Sequence, residues 1–119
     1  MKLFISQPMR DKTNEEIKVE RERLIKRVKA YYANEEIEVI DSFFENAPHD
    51  AKPLWFLGKS FILLSGADVA IFAPGWDKYR GCKMEHEACV AYGIPHIDGF
   101  NDPNDKNIET FEYYLDNKE

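Results

Sequence analysis

Cysteine and histidine are scarce in this 119-residue chain, a surplus of positive charge and long apolar runs are missing, and each of these removes a class of protein. Cys82 and Cys89 lie seven residues apart on one predicted helix, which separates their Cα atoms by about 10 Å and rules out a disulfide between them. The thiols are therefore expected reduced. His49, His86 and His96 are scattered, so no Cys/His zinc spacing exists, and neither a metal nor a cofactor is expected. A formal charge of −6 lacks the Lys/Arg surplus that a nucleic-acid polymer demands. No stretch approaches the apolar length of a membrane span, and Met1–Ser6 is too short for the apolar core of a signal peptide. A cytoplasmic location is expected.

What is present is globular. A hydrophobic fraction of 44% and an aromatic fraction of 13% lie far from the disordered regime, and the length fits one domain over residues 1–119. No repeat, low-complexity tract or linker divides the chain.

Lys2 to Ser6 reads as a strand, followed by the loop Gln7 to Lys12, in which Pro8 stops further pairing. Thr13-Asn14-Glu15-Glu16 has the form of a capping box and opens a helix to about residue 33, with Ile17, Leu24, Ile25, Val28, Tyr31 and Tyr32 at helical spacing. A second strand is predicted over Glu38 to Phe44 and a buried helix over Pro53 to Ser65, ended by Gly66-Ala67. A third strand covers Asp68 to Phe72, a helix Cys82 to Tyr92 ends at Gly93, a strand covers Pro95 to Asp98, and Ile108 to Asn117 is predicted as a closing helix. This alternation predicts an α/β fold of Rossmann-like (flavodoxin-like) type, a doubly wound parallel sheet of four to five strands flanked by helices. The loops Gln7 to Lys12, Asp41 to His49 and Pro74 to Arg80 should then share one crevice at the strand ends.

The densest chemistry follows the third strand, in Phe72-Ala73-Pro74-Gly75-Trp76-Asp77-Lys78-Tyr79-Arg80-Gly81-Cys82-Lys83-Met84-Glu85. If the helix begins near Gly81, Glu85 falls in its first turn, where the helix dipole would keep the carboxylate ionised and fit to act as a nucleophile. The plainer alternative is that Glu85 only caps or solvates that turn. Trp76 is either a stacking face for a base or a loop anchor. Asp41, at a strand end, is placed to accept from ribose hydroxyls, while Asp68 is read as satisfying backbone groups near its strand. Cys82, near a helix start, is a lesser nucleophile candidate, and His86 is read as pointing elsewhere, to the surface or a partner.

The segments Ile5-Ser6-Gln7-Pro8-Met9, Ser65-Gly66-Ala67-Asp68-Val69-Ala70 and Gly81-Cys82-x-x-Glu85, with Ala88, Ala91 and Gly93, resemble nucleoside 2-deoxyribosyltransferases and the small phage and bacterial proteins related to them. The likeness spans nearly the whole chain. It implies that Glu85 is the catalytic nucleophile, attacking C1′ of a (deoxy)ribose and displacing the base to leave a glycosyl ester that water or a second base resolves. It further implies that Pro8 and Met9 line the floor, that the Gln7 amide is available to a base edge, and that the chain assembles into a homo-oligomer.

Two departures from that pattern matter. Tyr79-Arg80 stands where the family places an acidic residue, and Cys82 replaces a threonine. Arg80 points to a phosphate or another anion, with Arg10, Lys12 and Lys78 on the same predicted rim, unless these cations are solvated surface residues. The expected substrate site is thus Gln7, Pro8, Met9, Arg10, Asp41, Trp76, Arg80, Gly81 and Cys82 around Glu85. The expected function is N-glycosidic cleavage or 2-deoxyribosyl transfer on a nucleoside or nucleotide. The alternatives are a non-catalytic module that sequesters or senses a nucleotide or an ADP-ribose-type signal, and a structural partner protein with a vestigial crevice.

Overall fold

A computed structural model describes residues 1–42, 44 and 47–114, with residue 106 described by its backbone alone. Five strands, β1 (Lys2–Ser6), β2 (Glu38–Val39), β3 (Val69–Phe72), β4 (His96–Asp102) and β5 (Asp105–Tyr114), form one sheet. Their order is β2-β1-β3-β4-β5, the flavodoxin-like arrangement of a Rossmann-like α/β fold. The first four strands are parallel, and β5 returns antiparallel along β4. Among the described residues three α-helices flank the sheet: α1 (Asn14–Tyr31), α2 (Pro53–Leu64) and α3 (Arg80–Tyr92).

β1 has neighbours on both edges and helices on both faces, and so it is apolar almost throughout. Its pleat sends Leu3 and Ile5 toward Leu24 and Val28 of α1, and Phe4 toward Leu64 of α2 and Cys89 of α3. Ser6 follows Phe4 by two residues and shares that second face. The capping box that opens α1 forms in both directions, with Glu16 N–H donating to Thr13 Oγ1 at 3.0 Å and Thr13 N–H donating to Glu16 Oε1 at 2.8 Å. Gly93 closes α3 with φ 70°, a left-handed cap that glycine adopts without penalty. Asp68 accepts the Lys2 N–H at 2.7 Å, the backbone role expected of it.

Two elements differ from the reading of the sequence. β2 is only Glu38–Val39, shorter than the expected strand, whose Phe43 lies outside the described residues. The closing segment is a strand, not a helix, and the expected helix's last residues, Leu115 to Asn117, lie outside the described residues. Its residues alternate: Phe111 and Tyr113 pack on the α1 face, while Thr110, Glu112 and Tyr114 stand on the other. Asp102 turns the chain by accepting the Asn104 N–H at 2.7 Å, which makes β4 and β5 a hairpin. Gly99 sits in that hairpin where a Cβ would meet Phe111 Cε1 and Pro74 Cδ at 2.8 Å and the Phe72 carbonyl oxygen at 2.9 Å. A close approach of that kind requires glycine.

Among the described residues no helix is long and apolar enough to cross a membrane.

Candidate active site

A cleft of about 890 Å³ opens at the carboxyl ends of the strands, over the face that carries α2 and α3. Three loops reach it, as the topology requires: the β1 loop through Gln7, Pro8, Met9 and Arg10, the β2 loop through Ser42 and Phe44, and the segment before α3 through Tyr79. The start of α3 adds Arg80, Gly81, Cys82, Met84 and Glu85, and the first half of α2 forms a further wall with Leu54, Phe56, Leu57 and Ser60. Most of the lining surface is apolar, with polar and charged side chains set among it, a make-up suited to a small-molecule site.

Glu85 is the one carboxylate among the described residues lining the cleft, and it is only 8% exposed. α3 begins at Arg80, earlier than its sequence indicated, so Glu85 stands in the second turn rather than the first. The helix dipole weakens beyond the first turn, and burial decides the outcome. Desolvation pushes the Glu85 carboxyl above its ordinary value, while hydrogen bonds from Ser6 and Ser60 oppose the shift. The expectation of a carboxylate kept ionised by the dipole is therefore corrected: two serine hydroxyls, not the helix end, support its charge. Ser6 donates to Glu85 Oε1 at 2.6 Å.

Neither serine was singled out from the sequence. Ser6 was legible only as the polar residue ending a buried strand, in phase with Phe4; Ser60 only as the small polar residue in the apolar run Phe56 to Leu64. Both are buried, and hydroxyls in such places point to a buried partner.

Cys82 lies one turn before Glu85, buried in the same wall. Burial pushes its thiol up to about 11, helped by the neighbouring Glu85 and Glu20 charges and opposed by a hydrogen bond with Ser6 and by the Lys12 charge. It is a protonated packing group at neutral pH, not the activated nucleophile that a helix start would have made it.

Gln7 lines the cleft, but its amide is committed to α1. Nε2 donates to the Ile17 carbonyl at 3.3 Å and to Glu20 Oε1 at 2.9 Å, and Oε1 accepts from Arg21 Nη1 at 3.0 Å. With both donors engaged, Gln7 shapes the β1 loop rather than offering an amide to a base.

Asp41 and Trp76 do not line the cleft. Asp41 is exposed, and its charge acts on the Arg21 guanidinium. Trp76 opens a short 3-10 turn, Trp76–Lys78, and stacks on His86 with ring centroids 4.0 Å apart and planes 16° apart. Phe72 and Phe100 flank it, which makes it the loop anchor. His86 is correspondingly half-buried rather than directed to the surface.

Trp76 and His86 lead to a second polar centre. His86 Nε2 and Asp98 Oδ2 lie 2.7 Å apart, and His96 Nδ1 and Asp98 Oδ1 lie 2.8 Å apart. Residues that showed no metal spacing in sequence are thus brought within 4.8 Å of one another through their ligating atoms. Burial alone would raise the Asp98 carboxyl, yet hydrogen bonds and charge from the two imidazoles outweigh it and hold the group below its ordinary value. Mutual hydrogen bonding satisfies this cluster, which pins α3 to β4.

Comparison with protein-family models yields no match for this chain, and comparison with curated proteins yields none.

Proposed function

We propose that the cleft binds a nucleoside or nucleotide and that Glu85 attacks C1′ to cleave or transfer across the N-glycosidic bond. The observation that carries this reading is a buried carboxylate, held by Ser6 at 2.6 Å and the single one among the described residues that line the cleft at the strand ends. In the first step a Glu85 oxygen bonds to C1′ as the C1′–N bond breaks, and the departing base keeps the electron pair and takes up a proton. Tyr79, whose hydroxyl is the phenol among the described residues lining the cleft, gives that proton. In the second step water, or the N–H of another base, attacks C1′ as the bond from C1′ to the Glu85 oxygen breaks; its proton returns to Tyr79 and the Glu85 carboxylate is restored. Incubation with nucleosides and nucleotides tests this: base release or exchange that disappears in Glu85→Gln supports it, and equal turnover in both proteins overturns it.

One observation favours a second reading, a module that binds a nucleotide or an ADP-ribose-type signal without turnover. The burial that raises the Glu85 carboxyl favours its neutral form, a hydrogen-bond donor rather than a nucleophile. Recovery of intact ligand after long incubation would establish that role.

A second copy of the chain is the partner we infer for α2. Leu54 and Ile62 are 74% and 66% exposed, and Ser60 and Leu64 are the buried residues of that helix. A largely apolar helix so little covered by its own domain is suited to self-association. Both free thiols fit the reducing compartment of a cytoplasmic protein.

A further inference from the structure

We propose that His86, His96 and Asp98 form a site for one divalent transition-metal ion of the zinc class, which clamps α3 to β4. None of the three lines the strand-end cleft, so the site is separate from Glu85 and does not depend on what the cleft binds.

The topology assembles the donors. His96 and Asp98 are two residues apart on β4, so the pleat turns both to one face. They stand beside Ala70 and Phe72 of β3, which pack on the α3 side of the sheet, and His86 reaches them from α3. His86 Nε2 and Asp98 Oδ2 are 2.7 Å apart, His96 Nδ1 and Asp98 Oδ1 are 2.8 Å apart, and the ligating atoms of all three residues lie within 4.8 Å of one another. Around one Zn²⁺ with bonds of about 2.0–2.2 Å, tetrahedral ligands stand about 3.4 Å apart. Every pair is therefore within about 1.5 Å of the spacing the ion requires, a gap that small side-chain rotations close.

Stacking sets the two rings beforehand. Trp76 lies on His86 with planes 16° apart, Tyr114 lies on His96 with planes 25° apart, and the two imidazoles cross at 78°. Their nitrogens thus converge on one carboxylate from different directions, as a tetrahedral rather than a planar donor set demands.

Donor chemistry selects the ion. Two imidazoles and a carboxylate suit Zn²⁺ and its neighbours, whereas Mg²⁺ and Ca²⁺ take oxygen ligands. Each neutral imidazole binds through the nitrogen that faces Asp98 and carries its single proton on the other ring nitrogen. Glu112 stands opposite Asp98 across the β4–β5 ladder and adds negative charge on the same face. The His96 and Asp98 side chains are closed off at 8% and 4% exposure, while His86 keeps 17% and gives a hydrated ion its way in. Water completes the fourth position.

Calorimetric titration of the chelator-treated full chain, of His86→Gln and of His96→Asn with Zn²⁺ tests the proposal. Gln and Asn keep an N–H where Nε2 and Nδ1 now stand, so the hydrogen bonds to Asp98 survive and only the metal ligand is lost. The wild type should take up one Zn²⁺ per chain in the presence of excess Mg²⁺, and each variant should bind at least about a hundredfold more weakly. Free Zn²⁺ at about a hundred times the wild-type Kd should raise the wild-type melting temperature by about 10 °C and leave the variants nearly where they were. Co²⁺ in place of Zn²⁺ should give the visible absorption of a tetrahedral nitrogen-and-oxygen site. Cys89, one turn along α3 from His86, is the rival ligand, and a thiolate charge-transfer band in the Co²⁺ spectrum would overturn the donor set proposed. No uptake by the wild type, or uptake that both variants retain in full, overturns the site altogether.

Discussion

Ser6 and Glu85, 79 residues apart in sequence, are joined by a 2.6 Å hydrogen bond that ties the end of β1 to the second turn of α3. The serine hydroxyl donates, so the bond favours the ionised carboxylate against the burial that disfavours it. Whether Glu85 is nucleophilic at neutral pH depends on the balance between these two effects.

Removing the donor should tip that balance. In Ser6→Ala the acidic limb of the pH–rate profile moves to higher pH, because a hydrogen bond to a charged group contributes about 1.5–3 kcal/mol and only the ionised form loses it. The matching loss of turnover is largest on the acidic side and shrinks as pH rises. An acidic limb that stays in place would show that Ser6 does not act on Glu85.

Glu85→Gln should separate function from stability. A carboxyl whose folded value lies above its unfolded value holds its proton more tightly when folded, so folding stability falls as pH rises through that range. The amide has no charge to bury and can still accept from Ser6. The variant should therefore be inactive yet melt at a higher temperature than the wild type at neutral pH, with the gap closing under acid. Scanning calorimetry at several pH values reads this directly.

Asp98 should behave in the opposite sense. Its carboxyl is held below its ordinary value by His86 and His96, so the stability it contributes is present above the unfolded aspartate value and is lost as pH falls through the folded one. Asp98→Asn places an N–H against an imidazole that needs an acceptor and should cost roughly 1.5–3 kcal/mol at neutral pH, measured by urea denaturation. A stability equal to that of the wild type would mean that the cluster does not hold α3 to β4.

Gly99→Ala isolates the hairpin. The added methyl meets Phe111, Pro74 and the Phe72 backbone at 2.8–2.9 Å, so overpacking should cost about 1–3 kcal/mol. Denaturant midpoints of the two proteins check the value.

Ile62→Glu places a charge on the face of α2 away from the cleft lining. The position is exposed in the single chain, so the fold should survive while self-association is lost. Sedimentation of wild type and variant at matched concentrations decides it, and a wild-type protein that sediments as a monomer would remove the inferred dimer.

The sequence carries much of this fold because its signals are local. Thr13 and Glu16 mark the start of α1, Gly93 the end of α3, and the Asp68 to Phe72 run forms an inner strand with little ambiguity. The closing segment misled because Phe111, Tyr113 and Tyr114 fit helical spacing and strand alternation about equally over so short a stretch. The tie is broken by Asp102 and Gly99, through a turn and a close packing that exist only in three dimensions. Glu85, Arg80 and Gly81 could be marked from their own segment, whereas Ser6, Ser42 and the α2 wall enter the cleft only through the strand order. Sequence alone leaves Trp76 open as a stacking face or a loop anchor and places Asp41 at a strand end near ribose hydroxyls; ring stacking on His86 makes Trp76 the anchor, and the Asp41 charge acts on Arg21 outside the cleft lining.

The most direct test of the account is base release from a mixed pool of nucleosides and nucleoside 5′-monophosphates, with wild-type protein run beside Glu85→Gln and products separated by chromatography. Free base should accumulate with the wild type and stay at background with the variant, while both proteins retain the same fold by circular dichroism. Base release at equal rates from both proteins, or none from either alongside retention of intact nucleotide, would contradict Glu85 as the nucleophile.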